Sequence, residues 1–287
     1  MVPIFLMRTP PSAAAVLARY FADPEDPAIL GVWADALLQE GDPRGEYIQL
    51  CALACPSAAQ SKRRSMLENT LGGALVGPAV PFLREWKLGP DGLVERASCE
   101  ADKLVEGIEA IVHLNPRLAL AVTSVKRVGV VEALAAVPLG RIHYVDFTGK
   151  VLGVSGPSQL SDRFLRRLAP SLRGVKNLGL SCIGNNSFSP AALRELGDAH
   201  DGLEFFAMLH DRSDALLEEY VDVITTSRGF RSLRGLFLPL ADAARIRRKL
   251  PKLVKLEVWE RDDVFPDPPD TGRGVEAFKA GLASPRA

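Results

Sequence analysis

Four histidines and four cysteines are the side chains of this 287-residue chain best suited to metal binding or nucleophilic chemistry. His200-Asp201 and His210-Asp211 form two HD pairs. In a metal-dependent hydrolase such pairs come from several helices and surround an open metal position. Here His210-Asp211 follows a predicted strand and His200-Asp201 falls in the turn before it. Turn chemistry is therefore the expected role, and no metal site is predicted. Cys51, Cys55, Cys99 and Cys182 include no CxxC pair. Cys51 and Cys55 lie four apart on one apparent helix, and free buried thiols are expected. No GxSxG, HExxH, GxGxxG or Walker loop occurs, so the motifs that place a nucleophile, a zinc ligand set or a phosphate cradle are missing. No catalytic residue and no cofactor are assigned, and the chain is not expected to be an enzyme.

A denser group of charges, Asp35, Asp42, Arg44 and Glu46, resembles a carboxylate site at first sight. The elements around it suggest a structural use. Val16, Leu17, Tyr20 and Phe21 recur at helical spacing after Pro11-Ser12, and Ile29, Leu30, Trp33, Leu37 and Leu38 mark one side of a second helix over 27–40. Gly41 supplies a left-handed stop, Asp42 a cap for the next helix, and Pro43 fits the first helical position, where its missing N–H costs nothing. Tyr47, Ile48, Leu50 and Cys51 belong to that third helix. Arg44 is expected to tie the two helices together through Asp35 or Glu46.

The run Trp33 to Leu50, with Gly41-Asp42-Pro43-Arg44-Gly45-Glu46 intact, resembles the signature of the bacterial repeat-companion domain over some 45 residues. It departs from that pattern at Trp33 (usually Tyr), Ala36 (usually Trp) and Gln49 (usually Arg). The resemblance implies a helical module placed N-terminal to leucine-rich-type repeats, and it implies no enzymatic activity.

The repeats are legible further along. After a predicted hairpin at 83–99 and a strand at Leu118, Leu120 and Val122, the pattern L-x-x-L-x-L recurs at Ile142, Val175, Leu203, Leu233 and Leu253. These anchors are offset by 33, 28, 30 and 20 residues. Helices are expected between the strands, opened by Ser161-Asp162, Ser189-Pro190 and Ser213-Asp214. A last helix over 273–284 is expected to cap the array, after an acidic, proline-rich loop at 260–272. The fold expected is α/β: a helical module over 1–82, then a ribonuclease-inhibitor-like leucine-rich-repeat solenoid with a parallel sheet over 83–287. A doubly wound α/β sheet fits the same alternation.

Composition narrows the partners. Lys+Arg and Asp+Glu are both 35, for a net charge of zero, and no domain-sized stretch is basic, so nucleic acid is not expected. The start has no positive n-region and breaks at Pro10-Pro11, and no window approaches a membrane span, so no membrane association and a cytoplasmic location are expected. The remaining reading is a protein- or peptide-binding scaffold. On the concave sheet face Tyr144, Phe205, Leu209, Phe237 and Trp259 are expected to be exposed and to form the partner site. The alternative is an accessory subunit or cryptic enzyme with a site between the helical module and the repeats.

Overall fold

The computed structural model describes residues 11–22, 27–125, 128–148, 160–182, 187–210, 214–239, 243–250 and 252–259. The loop at 260–272, the helix at 273–284, Asp211 and Ser213 lie outside them. The described residues form two compact units, one within 11–75 with 88–93, the other within 76–87 and 94–259. The main segment of the first unit runs to Leu75. The 3-10 turn Gly77–Phe82 goes with the second because Phe82 lies over Gly107, where an added Cβ would stand 2.2 Å from its ring.

The first unit is helical: α1 (Ala13–Ala22), α2 (Pro27–Gln39), α3 (Arg44–Cys51) and α4 (Ala58–Val76). Its core gathers the apolar residues read at helical spacing, with Val16, Tyr20, Trp33, Leu37 and Ile48 all buried. Tyr20 stacks on Trp33 with centroids 5.8 Å apart, and its hydroxyl donates to Asp91 at 3.0 Å. A buried tyrosine needs such an acceptor. Gly41, at φ +76°, ends α2: its N–H reaches Leu38 O (3.0 Å), while that of Asp42 reaches Leu37 O (2.8 Å). This pair of bonds is the Schellman closure, and it satisfies two carbonyls the helix would otherwise leave open.

The second unit alternates strand and helix. Its elements are β1 (Glu85–Leu88), β2 (Val94–Glu100), α5 (Ala101–Val112), β3 (Ala119–Thr123), α6 (Val128–Ala135), β4 (Tyr144–Asp146), α7 (Asp162–Leu172), β5 (Asn177–Cys182), α8 (Pro190–Ala199), β6 (Phe205–His210), α9 (Asp214–Thr226), β7 (Gly235–Pro239), α10 (Ala243–Lys249) and β8 (Lys255–Trp259). The strands form one sheet in the order β1-β2-β3-β4-β5-β6-β7-β8, and from β2 onward each described pairing is parallel. The order follows the chain and never reverses. Successive helices from α5 to α10 pack each on the next.

Register follows the repeat pattern. Tyr144 pairs with Asn177, Asn177 with Phe205, Phe205 with Gly235 and Gly235 with Lys255, the same offsets as the sequence anchors. Val145, Leu178, Phe206 and Leu236 therefore align on one face and are wholly buried. That face meets the helices: the Cys182 sulfur lies 3.0 Å from the Tyr220 hydroxyl on α9, and Phe206 packs on Phe230. Two expected caps form as well. Ser161 accepts from the Phe164 N–H (3.4 Å) and Ser189 from that of Ala192 (3.3 Å). Asp162 then ties α7 to α8 by accepting from the Ser189 hydroxyl at 2.8 Å.

Candidate functional site

The sheet face opposite the helices carries the alternate residues of each strand, and of the proposed anchors Tyr144, Phe205 and Phe237 share it. Their exposure differs from expectation. Tyr144 is 1%, Phe205 6% and Phe237 1% exposed. They form a cluster of their own with Ala119, Ala121 and Ala207. Tyr144 meets Phe205 edge-on at 5.7 Å, and Phe205 meets Phe237 at 5.0 Å. The three are thus a closed aromatic row and not an exposed patch, a correction to the expected partner site. Leu209 pairs with Ser181 and Trp259 with Pro239 in backbone register; their side chains lie outside the described residues.

Glycines on neighbouring strands explain why the row closes. A Cβ on Gly235 would stand 2.6 Å from Phe205 Cδ2, so the Phe205 ring lies down over Gly235. A Cβ on Gly179 would stand 2.6 Å from Asp146 Oδ1 and 2.7 Å from the Tyr144 hydroxyl. A large side chain beside a glycine folds across the next strand, buries its own surface and removes it from a partner's reach.

Polar groups share the same face. Asp146, fully buried, accepts from the Thr148 N–H (2.8 Å) and hydroxyl (2.5 Å). Burial, and secondarily the Asp146 charge, hold the Tyr144 hydroxyl far above its ordinary pKa, so it is a hydrogen-bond donor and not a base. Asn177 donates to His143 O at 2.8 Å, fixing the lead-in to β4. The sequence did signal these polar residues, since they occupy the alternate positions of apolar strands.

In the helical corner each charged residue is used locally. Asp42 Oδ1 accepts from the Arg44 N–H (2.9 Å), while Oδ2 accepts from Arg44 Nε (2.9 Å) and Nη2 (2.6 Å). The guanidinium lies 5.8 Å from the Trp33 ring centroid. Arg44 thus pairs with Asp42 and not with Asp35 or Glu46, a second correction. Glu46 is as close along the chain as Asp42, but Arg63 on α4 takes it in a two-contact pair, and Arg44 closes a three-contact chelate on Asp42. Asp35 instead accepts from Gln49 (3.1 Å), and Glu46 pairs with Arg63 on α4 (2.6 Å). Gly45 is required by close approach, since a Cβ there would stand 2.5 Å from Ala34 O.

His200 is buried and its Nδ1 accepts from the Gly202 N–H (3.0 Å), while Asp201 pairs with Arg173 (2.9 Å). Burial lowers the His200 pKa, against the opposing pull of the Leu172 and Val175 carbonyls. Among the described residues no group of three or more His, Cys, Asp or Glu could hold a metal ion. Cys99 and Cys182 are buried, as expected of free thiols, but Cys51 is half-buried and Cys55 exposed. Cys55 lies beyond the end of α3, past the helix that would have turned it inward. No described helix is long and apolar enough to cross a membrane.

No protein-family model matches this chain, and none of the curated proteins compared with it does.

Proposed function

We propose that the chain is a non-catalytic scaffold that binds a protein or peptide through a leucine-rich-repeat-like solenoid, preceded by a helical module of the repeat-companion type and working in the cytoplasm. The observation that carries this reading is the register. Four successive strand pairings step by the offsets of the sequence repeat, in an order that follows the chain. A doubly wound sheet reverses its strand order and binds its ligand at the reversal, and this order favours the repeat reading over it. Helices that each pack on the next support a single outer layer, the arrangement by which stacked repeats bury a continuous core and offer an extended surface to partners. The use of Gly41, Asp42, Arg44, Gly45 and Glu46 as corner fasteners supports a structural role for the module.

The test is affinity purification with the full chain from its native cell, followed by reconstitution with the purified candidate. Saturable binding at fixed stoichiometry, with neither component chemically changed, is the expected result. Failure of every reconstituted pair to bind, or turnover of a small molecule by the chain, would overturn the reading in favour of an accessory or catalytic role.

A further inference from the structure

The chain is neutral as a whole, yet its charge is not evenly spread. Between residues 228 and 256 there are nine Lys and Arg, at 228, 231, 234, 245, 247, 248, 249, 252 and 255, and a single acid, Asp242. The fold organises this excess. Three successive repeats carry charge at matching positions around their first anchors: Arg173 and Lys176 before β5, Asp201 and Glu204 before β6, Arg231 and Arg234 before β7. Backbone bonds set these positions side by side. The Glu204 N–H reaches Lys176 O (2.8 Å), that of Arg234 reaches Glu204 O (2.7 Å), and that of Val254 reaches Arg234 O (2.8 Å). Arg173 satisfies Asp201 at 2.9 Å.

The alternation of base, acid and base stops there. Beyond β7 the matching positions around Leu253 are Pro251 and Val254, neither a carboxylate, exposed Lys252 lies between them, and α10 adds exposed Arg247 and Arg248 in its last turn. Carboxylates do face this region: Asp198 accepts from the Arg228 backbone N–H (3.3 Å), Asp222 on α9 takes Lys249 (3.4 Å), and Glu218 and Glu219 share that helix. The side chains of Arg231, Arg234, Arg247, Arg248 and Lys252 are exposed, with no ion pair to any described residue.

We propose that these five cations form a docking strip for an acidic polypeptide segment of the partner; this rests on the binding-scaffold reading above. Its width selects the partner class. Neighbouring strands stand about 4.8 Å apart, so two repeats give a strip on the order of 10 Å across. Asp198, Asp201 and Glu204 bound it on the β6 side. A nucleic-acid strand carries phosphates at every step and runs on past the strip into those carboxylates. An extended peptide has acidic side chains on one face about 7 Å apart, and it can end where the positive strip ends.

The test uses the full chain and a labelled peptide of alternating Asp and Glu, with a single-stranded oligonucleotide of equal charge as competitor. The peptide should bind at low salt. Arg231→Glu/Arg234→Glu should weaken it by at least about tenfold, as close charge pairs do, and Arg247→Gln/Arg248→Gln should weaken it less. Arg19→Glu/Lys62→Glu, an equal charge change on the first unit, should leave binding unchanged. Equal loss in that control, no peptide binding at all, or tighter binding of the oligonucleotide would overturn the proposal. If a partner recovered by affinity purification binds Arg231→Glu/Arg234→Glu as it binds the wild type, the strip is wrong and the scaffold reading stands.

Discussion

Arg44 folds back onto Asp42, whose side chain accepts the Arg44 N–H at the start of α3, with Nη2 2.6 Å from Oδ2 while its guanidinium lies 5.8 Å from the Trp33 ring centroid. One residue thus fastens the start of α3 to the body of α2. The corner is rigid because Asp42 serves both the first free amide and the cation that closes over it.

Asp42→Ala is expected to lower stability by about 0.5–2 kcal/mol, the usual loss for a removed cap. Urea titration of both forms measures it. The pH dependence has a definite sign. Burial would raise the Asp42 pKa, but the side-chain and backbone hydrogen bonds from Arg44 and its charge bring it below the ordinary 3.8. A lowered folded-state value gives a contribution fully present above 3.8 and lost as the pH falls through the folded value. The difference between wild type and Asp42→Asn should therefore shrink on acidification below that point. A difference that grew would contradict the pairing.

Phe237→Ala should destabilise the fold by about 3–5 kcal/mol, the range for a buried aromatic truncated to a methyl. The residue packs against Phe205 in the closed row. An unchanged thermal midpoint would mean the ring is solvated, and would return it to the surface that its strand position first suggested.

His143 is predicted to keep its imidazole neutral well into the acid range. Burial, and then the nearby Arg117 charge, lower its pKa from 6.5 to about 4. Between those values the unfolded state holds a proton that the folded state does not. Stability therefore falls as the pH is lowered from about 6.5, with a slope approaching about 1.4 kcal/mol per pH unit. Above that window this residue adds no pH dependence. His143→Gln should flatten the slope in denaturation curves taken at successive pH values, and an unaltered slope would refute the assignment.

Thiol labelling should separate the four cysteines. Cys55, exposed, should react at once with a chromogenic disulfide, whereas Cys99 and Cys182 should react only on unfolding. Burial, aided by Asp102 and Glu100, raises the Cys99 thiol far above its ordinary pKa and slows it further. Four equally fast groups in the native protein would show that the sheet opens on the labelling timescale.

Much of the fold was legible in the sequence because it rests on local rules. The φ of +76° at Gly41, the caps at Ser161 and Ser189, and the apolar pairs Leu178/Leu180 and Leu236/Leu238 each follow from a residue's own conformational or burial preference. The repeat offsets carried over into strand register because a parallel strand that slips by one residue turns every core side chain to the wrong face. The starts of α5, α6 and α10 are not marked in the sequence, since no Ser-Pro or Ser-Asp cap opens them. What only the tertiary structure decided was where side chains go once neighbours are present. Spacing places Phe205 on the face opposite the helices, but whether it stands up or lies down depends on Gly235, thirty residues away in the chain and one strand away in space. Arg44 had Asp42 and Glu46 equally two residues away, and the fold turned it onto Asp42 by bringing Arg63 to Glu46. Both outcomes turn on what a neighbouring segment supplies, room beside Gly235 or a competing cation at Arg63, a property no single segment of sequence contains.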